Sequence, residues 1–194
     1  RGFRHGLAAE GENIAAELHL PFDRDPAVTL SAEVIPLADA CRYLERNAER
    51  LLRPKGAKRS DRPIWLTGVN VTIHREPHGV VLVLGTWNFP LFLPGVQILQ
   101  ALVAGNAVVY KPGTGATGAA AVLQRLLLRS GLPAGLLQLL PEGPEFGEAA
   151  IKVGVDFVLL TGSAATGRRV LANAAEQLTP CAMELSGCDS VFIG

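Results

Sequence analysis

The chain has 194 residues, 48% hydrophobic and 19% charged, enough for one good-sized domain or a domain with an appendage and too apolar for a disordered segment. Its 18 Lys and Arg offset 18 Asp and Glu, which argues against a nucleic-acid binder, since such proteins carry a basic surplus on one face. Three cysteines without CxxC spacing, Cys41, Cys181 and Cys188, suggest neither a disulfide framework nor a zinc site and point to reduced cytoplasmic thiols.

The first 60 residues or so differ in character from the rest. Residues 7 to 18 read as an earlier helical stretch, weakened by Gly11. From Ala32 to Leu52, apolar Val34, Leu37, Ala38, Cys41, Leu44, Ala48 and Leu51 recur at helical spacing, with Arg42, Glu45, Arg46, Glu49 and Arg50 on the other face. Ser31 is placed to cap that helix, and Pro54 and Gly56 to end it. The basic cluster Arg53, Lys55, Lys58 and Arg59 reads as a solvated helix end and linker. Residues 1–60 thus form a helical lead-in, and 61–194 a second unit. His74 and His78 are four apart, but Pro77 between them rules against a shared helical face and a metal site.

From Val69 onward short apolar runs alternate with helical ones. Residues 80–84, 107–110, 136–140 and 157–160 have strand length, and 93–104, 116–129, 146–153 and 164–178 read as helices. That alternation predicts βαβ units, an α/β fold with a parallel sheet and helices on both faces. Such sheets bind ligands beyond the carboxyl ends of their strands. No run of about eighteen apolar residues, as a membrane span needs, and no signal-peptide pattern appears. Arg1 stands where a start methionine would, and residues 190–194 read as a strand stopping in mid-structure, so both ends read as cuts.

The strand ends carry the unusual residues. After the first comes Leu84-Gly85-Thr86-Trp87-Asn88-Phe89-Pro90, where Asn88 is either a turn former or an amide donor aimed at a reacting oxygen. After the second comes Tyr110-Lys111-Pro112-Gly113-Thr114-Gly115, which sets Lys111 where a nucleotide ribose or phosphate would lie. After the fourth, Thr161-Gly162-Ser163-Ala164-Ala165-Thr166-Gly167 runs into a helix whose N–H groups suit phosphate, although the spacing is not GxGxxG. Glu184, in Cys181-Ala182-Met183-Glu184-Leu185-Ser186-Gly187, sits among apolar residues, a setting that suits a general base. Each signal alone also has a plain reading as a turn, a glycine bend or a surface acid.

Taken in order, Pro77-His78-Gly79-Val80-Val81, Thr86 to Pro90, Gly105 to Pro112, Thr161 to Gly167 and Glu184 to Gly187 resemble the aldehyde dehydrogenase superfamily from about Val69 to the last residue. The resemblance implies a Rossmann-like sheet preceded by a helical segment, NAD or NADP as cofactor, and oxidation of an aldehyde to a carboxylic acid through a cysteine thioester. It implies that Asn88 binds the aldehyde oxygen as an oxyanion and that Glu184 is the general base for the deacylating water. It further implies that Lys111 contacts the adenosine ribose, that Gly162, Ser163 and Gly167 approach the pyrophosphate, and that Thr86, Trp87 and Gly143 line the cofactor cleft. Thr114 stands where many NAD-using members place a glutamate that repels a 2′-phosphate, so NADP is expected to be accepted; free N–H groups near Ala116 would assist.

Ser186 replaces a glycine of the family pattern, and Cys188 stands where a lysine is common. The family's nucleophilic cysteine falls a few tens of residues beyond the glutamate, and none of the three cysteines here fits that place, so the chain alone is expected to be an inactive fragment. The intact protein is expected to be a cytoplasmic homo-oligomer acting on a small-molecule aldehyde, with no nucleic acid or membrane partner. The alternatives are a non-catalytic nucleotide-binding module and an acyl-phosphate or acyl-CoA reductase branch of the same superfamily, the latter disfavoured by Glu184.

Overall fold

The structure, a computed structural model, describes residues 1–187 except 59, 61, 62 and 67, and of residues 19–22 the backbone alone. The strand read at 190–194 and Cys188 lie outside the described residues.

The lead-in is helical, with different boundaries from those expected. The single stretch read at 7–18 is two helices, α1 (Gly2–Ala9) and α2 (Gly11–Phe22), which meet at Glu10, with Gly11 opening the second. The next helical run begins at α3 (Pro26–Thr29), passes through a π-helical turn (Leu30–Val34) and continues as α4 (Ile35–Leu52). Its cap is Asp25, whose carboxylate accepts the Ala27 N–H at 2.7 Å; Ser31 instead donates to the Val28 carbonyl from inside the run. Pro36 lacks an N–H and clashes with a preceding carbonyl in a regular helix. The π turn just before it, with the Ile35 N–H reaching back five residues to Leu30, relieves that conflict.

The linker is not featureless. Lys55–Gly56 (β1) pairs antiparallel with Thr72–Ile73 (β2), two exposed two-residue strands whose sequence has no alternation to announce them. The rest is the expected α/β fold: β3 (Val80–Leu84), α5 (Phe92–Val103), β4 (Ala107–Lys111), α6 (Thr117–Arg129), β5 (Leu137–Leu139), α7 (Pro144–Val153), β6 (Phe157–Gly162), α8 (Ala164–Glu176) and β7 (Cys181–Leu185). Among the described residues the main sheet has five strands, all parallel, in the order β5-β4-β3-β6-β7.

Alternation along the strands divides the core in two. Val81 and Val83 of β3 face one side, with Val108, Tyr110 and Leu137, against α5 and α6. Leu82 and Leu84 face the other, with Val158 and Leu160, against Ile151 of α7 and Val170 of α8. The lead-in joins the first of these cores. Phe3, Leu7, Ile14, Leu18, Leu37 and Cys41 are buried in one cluster with Ile98, Leu123 and Leu126. Truncating one such fully buried Leu typically costs about 2–5 kcal/mol.

Candidate functional site

In an open parallel sheet the strand order reverses at one place, and the loops there part to leave a crevice. Here β3 leads to β4 and β5 on one side and to β6 and β7 on the other, so the crevice opens above the carboxyl ends of β3 and β6. A cleft of about 690 Å³ occupies it, within the size range of small-molecule sites. Thr86, Trp87, Asn88, Lys111, Thr114, Gly162, Ser163 and Glu184 all line it. Gly143 and Gly167 do not. Gly143 caps α7 beside the wall, with Glu142 and Pro144 on the lining in its place.

The β3 loop turns tightly. Buried Thr86 accepts the Phe89 N–H on its hydroxyl at 3.4 Å, which leaves Trp87 67% exposed and Asn88 at the surface of the cleft. Beyond the turn α5 has no local cap. Its first N–H groups, of Leu91 and Phe92, are met at 2.7 and 3.0 Å by one carboxylate oxygen of Glu33, from the lead-in. The β4 loop presses against this turn so closely that a side chain at Gly113 would run into the Thr86 backbone, a place only glycine fits.

Lys111 ends β4 half-buried, its ammonium donating to the main-chain oxygens of Pro112 at 2.5 Å and Glu142 at 2.8 Å. Burial lowers its pKa, opposed by the Glu142 and Glu145 carboxylates. Glu142, which the sequence reading did not single out, is the main addition. Its carboxylate accepts the Gly115 N–H and Thr117 N–H at 2.8 Å and the Thr117 hydroxyl at 2.5 Å, and these bonds hold its pKa below the usual carboxylate range. The N–H groups expected to be free for an anion at the start of α6 are therefore already met by an acid of the chain. Pro141 and Pro144 mark a turn at Glu142, but its approach to a helix 25 residues earlier in the chain had no sequence signal.

Above β6, Ser163 caps α8, its hydroxyl accepting the Thr166 N–H at 3.2 Å and leaving the positive end of a 13-residue helix on the cleft. Gly167 is a packing glycine: a β-carbon there would come within 2.9 Å of Leu185, so its smallness brings α8 down on β7 instead of admitting a ligand. Arg169 reaches the cleft wall from the same helix, paired with Glu148 at 2.5 Å. Glu184 lies on the edge strand β7, in register with Thr161, and is exposed; the apolar enclosure expected around it is not supplied by the described residues. Of the described cysteines, Cys41 is buried in the core away from the cleft, its thiol pushed up to about 11 by desolvation, and Cys181 is part-buried at the start of β7, raised for the same reason. No helix among the described residues is long and apolar enough to cross a membrane.

Residues 9–194 match the Aldehyde dehydrogenase family. The chain is 34% identical over 164 residues to the 4,4'-diapolycopene aldehyde oxidase of Methylomonas sp, covering 84% of this chain and 31% of that one. Among solved structures it resembles lactaldehyde dehydrogenase from Escherichia coli, with TM-score 0.83 and 28% identity over 96% of this chain and 38% of that one. It also resembles 3,6-anhydro-L-galactose dehydrogenase in complex with NAP, with TM-score 0.83, 29% identity and coverage of 96% and 38%. The chain thus spans about a third of the length of the relatives it matches.

Proposed function

Because this chain belongs to the aldehyde dehydrogenase family, we propose that it supplies the dinucleotide cleft, the oxyanion donor and the general base of an enzyme that oxidises an aldehyde to a carboxylic acid with NAD or NADP. The observation that carries this reading is the convergence of Asn88, Lys111, Ser163 and Glu184, from four separate segments, on one cleft at the sheet's switch point.

The residues fit a dinucleotide. Half-buried Lys111 offers a cation beside the β4 loop, and Ser163 sets a helix start where a pyrophosphate gains from the positive end. Thr86, Trp87, Thr114 and Gly162 complete the cofactor walls, Gly143 fixes the α7 turn next to them, and Gly167 serves by seating α8. The bound dinucleotide would accept the hydride. The Asn88 amide donates to the aldehyde oxygen as charge develops there, and Glu184 takes a proton from the water that releases the acid. The attacking thiolate is neither Cys41, which is buried away from the cleft, nor Cys181, which belongs to the strand carrying the base, nor Cys188, which follows Glu184 too closely in sequence; this chain alone is therefore proposed to be inactive. The neutral Thr114 and the NAP-bound relative favour acceptance of NADP beside NAD. A unit boundary near residue 60, a cytoplasmic location and homo-oligomeric assembly complete the proposal.

The test is single-turnover and steady-state NAD(P)H formation by an active enzyme carrying this sequence. Asn88→Ala should slow the hydride step by about 10²–10³-fold, the usual worth of one oxyanion donor. An unchanged hydride step would remove Asn88 from this role.

A further inference from the structure

Two charged residues of the helical lead-in reach the turn that carries Asn88. Glu33 sits in the π turn, where the widened backbone coexists with a side chain only 1% exposed. One of its oxygens takes the Leu91 and Phe92 N–H groups, and the other pairs with Arg24 at 2.5 Å. Arg24 also donates from its second terminal nitrogen to the main-chain oxygen of Asn88, and its guanidinium lies 5.5 Å from the Phe89 ring centre. A single ion pair therefore grips residues 88, 89, 91 and 92, on both sides of Pro90.

Capping α5 requires only an acceptor at Leu91 and Phe92, which Glu33 alone provides. The planar fork of Arg24 does something else: it ties that cap to the peptide of Asn88 itself. A buried carboxylate is expensive unless paired, so the pair has one arrangement, and the turn it holds inherits that rigidity. An amide that must meet a developing oxyanion needs such fixed placement, because small displacements forfeit much of the effect.

We propose that Arg24 and Glu33 are positioning residues for Asn88, holding its amide toward the reacting oxygen from a segment that does not line the cleft. This rests on the reading of Asn88 as oxyanion donor. The experiment is a double-mutant cycle in an active enzyme carrying this sequence, with Arg24→Lys, Asn88→Ala and the pair, reading kcat, the KM for aldehyde and the Kd for the dinucleotide. Lysine keeps the charge against Glu33 but cannot reproduce the fork. Arg24→Lys should lower kcat about tenfold with the dinucleotide Kd unchanged, and should lower it no further once Asn88 is alanine. Losses that multiply in the double variant, or a dinucleotide Kd that weakens in step with kcat, overturn the positioning role while leaving Asn88 as donor. An Asn88→Ala enzyme with full kcat overturns both. Should Arg24→Lys fail to fold, Glu33→Gln, which keeps an oxygen acceptor for Leu91 and Phe92, closes the same cycle with the same criteria.

Discussion

Replacing Glu142 with Gln should shift cofactor choice toward NADP. The carboxylate lies over the first N–H groups of α6, at 2.8 Å from Gly115 N and Thr117 N, while Lys111 donates to the same residue's carbonyl at 2.8 Å. If Lys111 meets the adenosine ribose, a 2′-phosphate enters beside this acid. Two unit charges about 5 Å apart repel by about 3 kcal/mol at an effective dielectric near 20. Glu142 is only half-buried, so water and salt reduce that to roughly 1–2 kcal/mol, or about 5–30-fold in the NADP dissociation constant. Glutamine keeps an acceptor for the helix and drops the charge. The assay is calorimetric titration of parent and variant with both dinucleotides at one ionic strength, alongside thermal melts. A folded variant whose NADP/NAD affinity ratio moves by less than about twofold refutes the electrostatic reasoning.

Thr114→Glu tests the opposite sign at the same corner and should weaken NADP by on the order of 1–3 kcal/mol with NAD unchanged or tighter, as paired titrations would show. Glu184→Gln should slow acyl release more than hydride transfer, preserving the single-turnover burst while steady-state turnover falls; equal losses would exclude the base role. Because the folded pKa of Glu142 is depressed, its cap stabilises the fold above the ordinary carboxylate range, about pH 4, and that contribution fades as pH falls through the lower folded value. The melting difference between parent and Glu142→Gln should therefore shrink from pH 6 toward pH 3. Gly167→Leu forces α8 off Leu185 and should lower the melting temperature, whereas Gly162→Ala, with nothing nearer than 3.6 Å, should barely change it.

What was legible in the sequence was periodic or local. The β3 run 80–84 and the end of α6 at Arg129 stand where the pattern put them, because an unbroken apolar strand and an amphipathic helix announce their own limits. β5 is shorter than its apolar run, since Ala134–Leu136 closes into a 3-10 turn after Pro133. Ser31 looked like a cap because it precedes the apolar repeat, but Asp25 followed by Pro26 starts the helix a turn and a half earlier. The cleft walls were readable at strand ends for the same topological reason that any parallel sheet's are. Glu33, Arg24 and Glu142 were not. Each acts on a backbone far along the chain, and a polar residue in a helix or turn carries no mark of the distant N–H or carbonyl it will meet.

The strand order has a consequence for how the protein is made. Among the described strands of the main sheet, β3 is made first and lies in the middle, with β4 and β5 following on one flank and β6 and β7 on the other. Each new strand thus finds a row of unpaired backbone groups waiting at an open edge, and none must wedge itself between two strands already joined. The lead-in helices emerge earlier still, so the apolar cover for α5 and α6 exists before those helices do. Synthesis from one end therefore extends the sheet outward from its middle, in an order that a chain released all at once from denaturant does not impose.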